Sequence, residues 1–186
     1  NREKVAGLLQ FSSTQSEGSS QDQSLEDYIS RMSSEQDKIY YLVADSLNAA
    51  KTSPHLEIFK KKGIEVILMY DRIDEWLMSH LREFDGKPLQ DIARGELDLG
   101  GLEDVEEKKL QEESEKALEG LTDRIKTVLG DRVGEVRVTH RLTDSAACLA
   151  MGEGDMGAQM RKIMEASGQS LPESSPHFEL NPHCLL

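Results

Sequence analysis

Two mostly apolar runs, residues 38–44 and 64–69, dominate the hydrophobic pattern in the first half of the chain. Runs of this length and β-rich composition are typical of buried strands. Between them, Ser46 and Ser53 are helix-start signals, and Gly63 is suited to end the second of the two helices. Because a crossover of this length joins parallel strands with a right-handed connection, the pattern predicts one βαβ unit.

Shorter helical patterns precede this unit. Residues 1–11 place their apolar side chains on one helical face, whereas residues 12–23 have no hydrophobic period and predict a mobile loop. Ser24 then offers a helix N-cap with Asp27 three positions later, a weakened form of the capping box. We expect a short helix from this cap to Met32.

A third helix is predicted after the second strand, from a cap at Asp71 to Phe84, with Asp85 to Pro88 breaking it. Residues 89–92 then predict a short strand, so the first module should end near residue 100. The apolar positions of this helix recur at steps of three and four: Ile73, Trp76, Leu77, Leu81 and Phe84.

The second half begins with an acidic stretch, residues 103–119, that carries eight acids and three lysines and predicts a solvated helix between modules. A stronger helical face follows and ends at Gly130, and Asp155 is expected to cap a later helix that ends at Gly168. Strands are predicted at 133–139, 146–151 and 177–180. The predicted fold class is therefore α/β plus α+β: a small βαβ-containing three-layer module linked by an acidic helix to a truncated α+β module.

Composition narrows the class of protein. The 186 residues carry a formal charge of −13 from 35 acids and 22 bases, which disfavours nucleic-acid binding. No apolar run approaches the roughly 20 residues of a membrane helix. Cys148 and Cys184 are expected to be free thiols in a reducing compartment, so a soluble, cytoplasmic protein is predicted. Both ends, at Asn1 and Leu186, are interpreted as cut from a longer chain.

The sequence gives only weak signals for a phosphate, cofactor or metal site. The glycines at 152, 154 and 157 precede a helix but lack a following Lys-Ser/Thr pair, and nearby acids would repel phosphate. We therefore expect no cofactor site and no metal site in this chain. The group His177, His183 and Cys184 has no fourth ligand at zinc-like spacing. The remaining histidines stand alone on separate elements as surface or cap residues: His55, His80 and His140.

Three clustered carboxylates, Asp71, Asp74 and Glu75, lie where a strand passes into a helix. Enzymes of α/β fold often keep catalytic acids at this position, but anions also stabilise a helix N-terminus without any further role. We favour capping, and we expect this chain not to be an enzyme. Catalysis would require a concave pocket with shifted carboxylate pKa values.

Two apolar features suggest binding. After Asp155, Met156, Met160, Ile163 and Met164 stand on one face of the predicted helix, and Trp76 is the only tryptophan of the chain. Methionine-rich surfaces adapt to varied apolar partners, and tryptophan is enriched at binding hot spots. Both features are also compatible with an ordinary core, so the residues alone leave the choice open.

Ordered sequence blocks across essentially all 186 residues make the chain resemble bacterial members of the heat shock protein 90 chaperone family. The resemblance implies an ATP-driven homodimeric chaperone with N-terminal, middle and C-terminal domains. The blocks that carry it are Ser24–Met32, Lys38–Tyr41, Ser53–Glu57, Lys62–Val66, Asp71–Trp76, Phe84–Lys87, Val138–Asp144 and Phe178–Pro182.

The resemblance also implies a domain assignment. Residues 1–100 correspond to the C-terminal part of the middle domain, and 101–130 to a linker and the first helix of the C-terminal domain. Residues 131–186 correspond to the C-terminal domain, truncated before its dimerisation helices. The ATP and Mg²⁺ site of the full-length protein would then lie outside this chain.

In the family, partly unfolded client proteins bind apolar surface at positions that match Trp76, Met156, Met160, Ile163 and Met164. The leading hypothesis is therefore client binding. The alternative is a structural connector that relays nucleotide-driven motion between the ATPase and dimerisation domains. Exposure of Met156 and Met160 would favour client binding, and full burial would favour the connector.

Overall fold

Mixed helices and strands occur throughout the computed structural model, which describes residues 2–16, 20–103, 105–168 and 174–184, and they confirm the predicted fold class. The chain divides into two units, Asn1–Ile92 and Ala93–Leu186. The first unit contains, in order, α1 (Arg2–Ala6), β1 (Ser12–Ser13), α2 (Leu25–Arg31), β2 (Ile39–Val43), α3 (Leu47–Lys51), α4 (Glu57–Lys62), β3 (Ile67–Met69), α5 (Asp74–His80), β4 (Glu83–Phe84) and β5 (Lys87–Asp91).

The first sheet has the strand order β1-β3-β2-β5-β4. The two predicted strands, β2 and β3, pair in parallel with Leu42 opposite Leu68, so the βαβ prediction is confirmed in its strand direction. Strand β5 pairs in parallel on the other side of β2, and β4 and β5 form an antiparallel hairpin that the sequence pattern did not predict. The turn of this hairpin holds Asp85 and Gly86 at φ of 49° and 70°.

The helix caps predicted around α2, α3 and α4 are confirmed. Ser24 and Asp27 form a complete capping box at the start of α2, and Ser46 caps α3 through the Ala49 amide. Helix α4 follows a 3₁₀ turn capped by Ser53 and ends at Gly63, whose φ of 67° suits a residue without a Cβ. These signals could be predicted because each involves residues no more than four positions apart.

The predicted mobile loop at 12–23 is partly wrong. Ser12 and Ser13 form strand β1, antiparallel to β3, and both are fully buried. Ser12 Oγ donates to the Ser20 carbonyl at 2.8 Å, and Ser13 Oγ donates to Glu65 Oε1 at 2.6 Å. Buried hydroxyls need such partners, and here one partner lies 52 positions away, beyond the reach of a local pattern.

A buried carboxylate ties α2 to the sheet. Arg31 donates from Nε to Glu65 Oε2 and from Nη2 to Oε1, each at 2.9 Å, in a bidentate pair. Beside it, Tyr28 donates its hydroxyl to the Glu65 carbonyl at 2.7 Å and accepts from Gln36 Nε2 and from the Tyr40 amide. Burial raises the pKa of Tyr28 to about 12, so the phenol stays protonated and keeps its donor.

Two helix predictions in the first unit are wrong at their ends. Helix α1 stops at Ala6, and the side chains of Val5 and Leu8 are exposed. Helix α5 ends at His80 instead of Phe84, because Glu83 and Phe84 pair with β5. Its start also differs: the Asp71 side chain forms no cap, and instead the Asp71 amide donates to Asp74 Oδ2 at 2.9 Å.

The second unit contains one long helix and a three-stranded sheet of order β6-β8-β7. The acidic stretch and the helical face after it form a single helix of 25 residues, followed by Gly130 at φ 56°, as predicted. Strand β8 pairs in parallel with β6 and antiparallel with β7. The elements are α6 (Val105–Leu129), β6 (Val136–Val138), β7 (Ala147–Ala150), α7 (Ala158–Ala166) and β8 (His177–Leu180).

Glu179 on the central strand β8 is the charged centre of this unit. Its Oε1 accepts from Arg137 Nη2 at 2.6 Å, and its Oε2 lies 2.7 Å from Arg141 Nε. Both arginines also donate to the Gly95 carbonyl at 2.7 Å. Arg141 is only 1% exposed, so the guanidinium depends on these contacts in place of water.

Replacing Glu179 by Gln keeps the side-chain size but leaves the Arg141 and Arg137 guanidinium groups, whose side chains are 1% and 17% exposed, without their carboxylate. We expect Glu179→Gln to lower the free energy of unfolding of this chain by about 3–5 kcal/mol, measured by urea denaturation. Glu135→Gln removes a largely exposed carboxylate 3.7 Å from Arg137 and should cost about 1 kcal/mol or less. Equal losses in the two variants would contradict the role given to Glu179.

Candidate functional site

Trp76 projects from α5 into solvent. The face of this helix that is packed against the first unit carries Asp74 and Met78, and Trp76 lies on the other side with 57% of its surface exposed. Ile73, three positions earlier, is 69% exposed. Residues i and i+3 are neighbours on a helix surface, so the two side chains form one exposed apolar patch.

The indole of Trp76 has an aromatic neighbour on its own helix. The His80 ring lies 4.6 Å from it, centroid to centroid. His80 Nδ1 is 2.9 Å from the Trp76 carbonyl and 2.8 Å from Ser79 Oγ, and these contacts orient the imidazole beside the indole. Trp76 is thus supported from one side by His80 while most of its surface remains accessible.

Ile73 is the residue of this patch that the sequence interpretation missed. Its position in the apolar period of α5 predicted a place in the core, with Leu77 and Leu81. The i, i+3 spacing to Trp76 was the available signal, because it places both side chains in one stripe. Contacts between α5 and the sheet decide which face of the helix is buried. These contacts cannot be inferred from the sequence pattern.

The methionine-rich helix is shorter than predicted. Helix α7 begins at Ala158 with Gly157 as its N-cap, so Met156 lies before the helix instead of on its face. Within the helix, Met160, Ile163 and Met164 retain the spacing i, i+3 and i+4 that places side chains together. Gly168, at φ 77°, follows the helix end as expected.

Met156, just before the helix, and Met160, Ile163 and Met164 on it are together called the α7 stripe, and their burial is graded. Met156, Met160 and Met164 are half-buried, and Ile163 is 54% exposed. The stripe therefore has neither the full exposure expected of an open binding surface nor the full burial expected of an internal contact. Trp76 belongs to the first unit, and the other four candidate residues belong to the second.

Asp155 does not cap α7, which corrects the sequence prediction. Its Oδ2 accepts from the Gly152 amide at 3.0 Å and from Ser174 Oγ at 2.6 Å. The Ser174 hydrogen bond, aided by the Gly152 amide, lowers the pKa of Asp155 below its ordinary value. The carboxylate is therefore engaged with the residues around the helix and not with the helix amides.

The carboxylates near α5 are engaged with the backbone. Asp74 is buried, and burial raises its pKa, while the hydrogen bond from the Asp71 amide opposes that shift. The geometry gives Asp74 a structural contact with the turn before the helix, and no side chain caps α5, so the capping interpretation is not confirmed at this position. Asp71 itself is exposed and accepts a hydrogen bond from Gln21 Nε2 at 3.3 Å.

The glycine turn before α7 does not fit a phosphate group. Its Gly152 amide already donates to the Asp155 carboxylate, and the adjacent acidic side chains, Glu153 and Asp155, would repel an anion. Within the described ranges, no three His, Cys, Asp or Glu side chains are grouped so as to hold a metal ion. His177 instead contacts Glu135 at 2.8 Å.

Both cysteines are free thiols, as predicted, with Cys148 buried and Cys184 exposed. In the part of the chain that the structure describes, no helix has the length and apolar content to cross a membrane.

His140 lies in surroundings that disfavour its charged form. It is half-buried, and its Nε2 has no hydrogen-bond partner among the described residues. Burial, together with the nearby His183, lowers its pKa from the ordinary 6.5, and Glu107 opposes this shift. Burial therefore favours the neutral form of this ring.

Comparisons with a family model and with known proteins indicate the same family. The sequence model of the family described as Hsp90 protein matches residues 1–184. The chain is also 62% identical, over 182 residues, to the "Chaperone protein HtpG" of Pseudoalteromonas translucida (strain TAC 125). The alignment covers 98% of this chain and 29% of that protein, so the chain spans less than a third of its relative's length.

The lowered pKa of His140 makes stability depend on pH. As the pH falls below 6.5, the unfolded chain gains a proton more readily than the folded chain, so the free energy of unfolding should fall. Urea denaturation from about pH 5.5 to about pH 7.5 measures this slope. His140→Gln should reduce it, whereas His80→Gln, a change at an exposed ring, should not; an unchanged slope in His140→Gln would refute the assignment.

Proposed function

Because this chain belongs to the Hsp90 protein family, we propose that it is the client-binding part of an ATP-dependent chaperone that assists folding of partly unfolded proteins. On this proposal the chain contributes a surface and no covalent chemistry. Unfolded proteins expose apolar segments that folded proteins bury, so the surface that holds them must itself present apolar side chains to solvent.

The exposure of Trp76 is the observation that carries the proposal. The only tryptophan of the chain leaves 57% of its surface accessible, next to an exposed Ile73. Burying a large aromatic ring is among the most favourable contributions that a side chain can make to association. A residue of this kind on a helix surface is therefore suited to a partner outside the unit.

The α7 stripe would provide a second contact region. Ile163 is exposed and the three methionines are half-buried, so part of the stripe is available without unfolding of the unit. Methionine side chains are flexible and polarizable, and they can fit apolar segments of different shape. Clients of varied sequence could then be held with modest affinity at each site.

The proposal extends to the domains and to the whole protein. Residues 1–100 would be the later part of the middle domain, 101–130 the linker and first C-terminal helix, and 131–186 the truncated C-terminal domain. ATP and Mg²⁺ would bind elsewhere in a longer polypeptide, since the described residues do not fit a phosphate group at the glycine turn. That polypeptide would act as a homodimer in the cytoplasm.

A structural connector is the second candidate. Helix α6 is one unbroken helix of 25 residues, about 37 Å long at 1.5 Å per residue, and such a helix can transmit a displacement along its length. The half-burial of Met156, Met160 and Met164 also suits a packing contact. On this candidate, polar substitutions at the stripe would alter stability instead of client affinity.

Substitution of Trp76 tests client binding directly. We expect Trp76→Ser to weaken binding of a permanently unfolded protein, such as reduced and carboxymethylated lactalbumin, by about tenfold or more, because a buried aromatic anchor is lost. Ile163→Ser should weaken it less. Binding is measured by fluorescence anisotropy of the labelled unfolded protein.

Val128→Ser provides the matched control. Val128 is an apolar residue on α6 that is 82% exposed, outside the proposed surface. Its substitution should leave both affinity and stability unchanged. If Trp76→Ser and Ile163→Ser bound the unfolded protein as tightly as Val128→Ser does, with the fold intact by circular dichroism, client binding at these positions would be refuted.

A further inference from the structure

The segment that carries α7 is fastened where it leaves and rejoins the sheet. It begins after β7 with a turn in which the Asp155 amide donates to the Gly152 carbonyl at 3.1 Å. Arg94 donates from Nη1 to the Asp155 carbonyl, which fixes the same turn from the start of the second unit. The polypeptide therefore approaches α7 from an anchored position.

The returning chain is anchored as well. Ser175 Oγ donates to the Asp131 carbonyl at 3.3 Å, and the Gly134 amide donates to the Pro176 carbonyl at 2.9 Å. A Cβ at Gly134 would lie 2.8 Å from the Ser175 carbonyl oxygen, so the two backbones are in close contact there. Strand β8 begins immediately after this contact.

One side chain joins the two anchored positions. Asp155 Oδ2 accepts from the Gly152 amide before the helix and from Ser174 Oγ after it, a residue 19 positions later. We propose that Asp155 is a positioning residue: by holding Ser174 it closes the base of the α7 segment and fixes how Met160, Ile163 and Met164 are presented. This inference rests on the proposed client-binding function.

The chemistry of the contact suits this role. A hydroxyl that donates to an ionised carboxylate forms a stronger hydrogen bond than a neutral pair, and the 2.6 Å distance lies in the short range for such bonds. The Ser174 bond also lowers the pKa of Asp155, which keeps the acceptor ionised near neutral pH. Without the bond, α7 would sample more orientations, and only some would present the stripe.

Ser174→Ala tests the inference in the full 186-residue chain. Hydrogen–deuterium exchange at the α7 amides should become roughly 5- to 10-fold faster, while exchange in β6, β7 and β8 stays unchanged. Affinity for reduced, carboxymethylated lactalbumin should fall several-fold, because the binding-competent orientation is less populated. Ser174→Thr, which keeps the hydroxyl, should restore both values.

Two further variants complete the test. Ser114→Ala removes an exposed hydroxyl on α6 that donates to the Leu110 carbonyl and does not touch Asp155, so it should leave α7 exchange unchanged. Asp155→Asn should reproduce the effect of Ser174→Ala more weakly. Unchanged α7 exchange in Ser174→Ala would overturn the closure, and faster exchange with unchanged affinity would overturn the positioning role. The α7 exchange rates are measured without client, so they test the closure alone. Failure of the proposed client binding would appear instead as unchanged affinity in Trp76→Ser.

Discussion

A buried carboxylate loses its hydration, and only close cationic and hydrogen-bonding partners can offset that loss. Each unit of this chain meets the constraint with one glutamate. In the first, Glu65 is held by Arg31 and Ser13, and in the second, Glu179 is held by Arg137 and Arg141. These clusters fasten strands to helices and loops, in the first unit beside an apolar core that includes Phe11, Tyr28 and Phe84.

This arrangement affects which side chains remain outside. Aromatic residues make up 5% of the chain, yet the only tryptophan is exposed while the guanidinium of Arg141 is buried. Ion pairs and hydrogen bonds thus organise interior positions, and large apolar side chains on α5 and α7 remain accessible. Folded proteins usually bury large apolar side chains and expose charged ones. Exposed apolar side chains are expected where residues bind a partner, as proposed for this member of the chaperone family.

Features that depend on residues close together in the sequence could be predicted, and features that depend on residues far apart in the sequence could not. The capping box of Ser24 and Asp27 and the apolar strands β2 and β3 were predicted, because their signals are local. Ser12 and Ser13 were assigned to a loop, since their burial depends on distant partners such as Glu65. Asp155 was assigned to a helix cap for the same reason: its partner Ser174 lies 19 positions away.

The candidate surface was predictable only in part. The periodicity of α5 and α7 identified apolar stripes, but it does not show which stripe a sheet covers. Exposure of Trp76 and Ile73, and half-burial of the methionines, depend on the packing of each unit. The family resemblance named the candidate positions, and the structure gives their accessibility.

Site-specific photocrosslinking shows whether an unfolded protein binds at Trp76 and Ile163. A photoreactive residue placed at Trp76, Ile163 or Val128 would be irradiated with reduced, carboxymethylated lactalbumin and, separately, with native lactalbumin. If clients bind at these positions, we expect crosslinks to the unfolded protein from positions 76 and 163, few from 128, and few to the native protein from any position. Equal crosslinking from all three positions, or none from 76 and 163, would contradict client binding there.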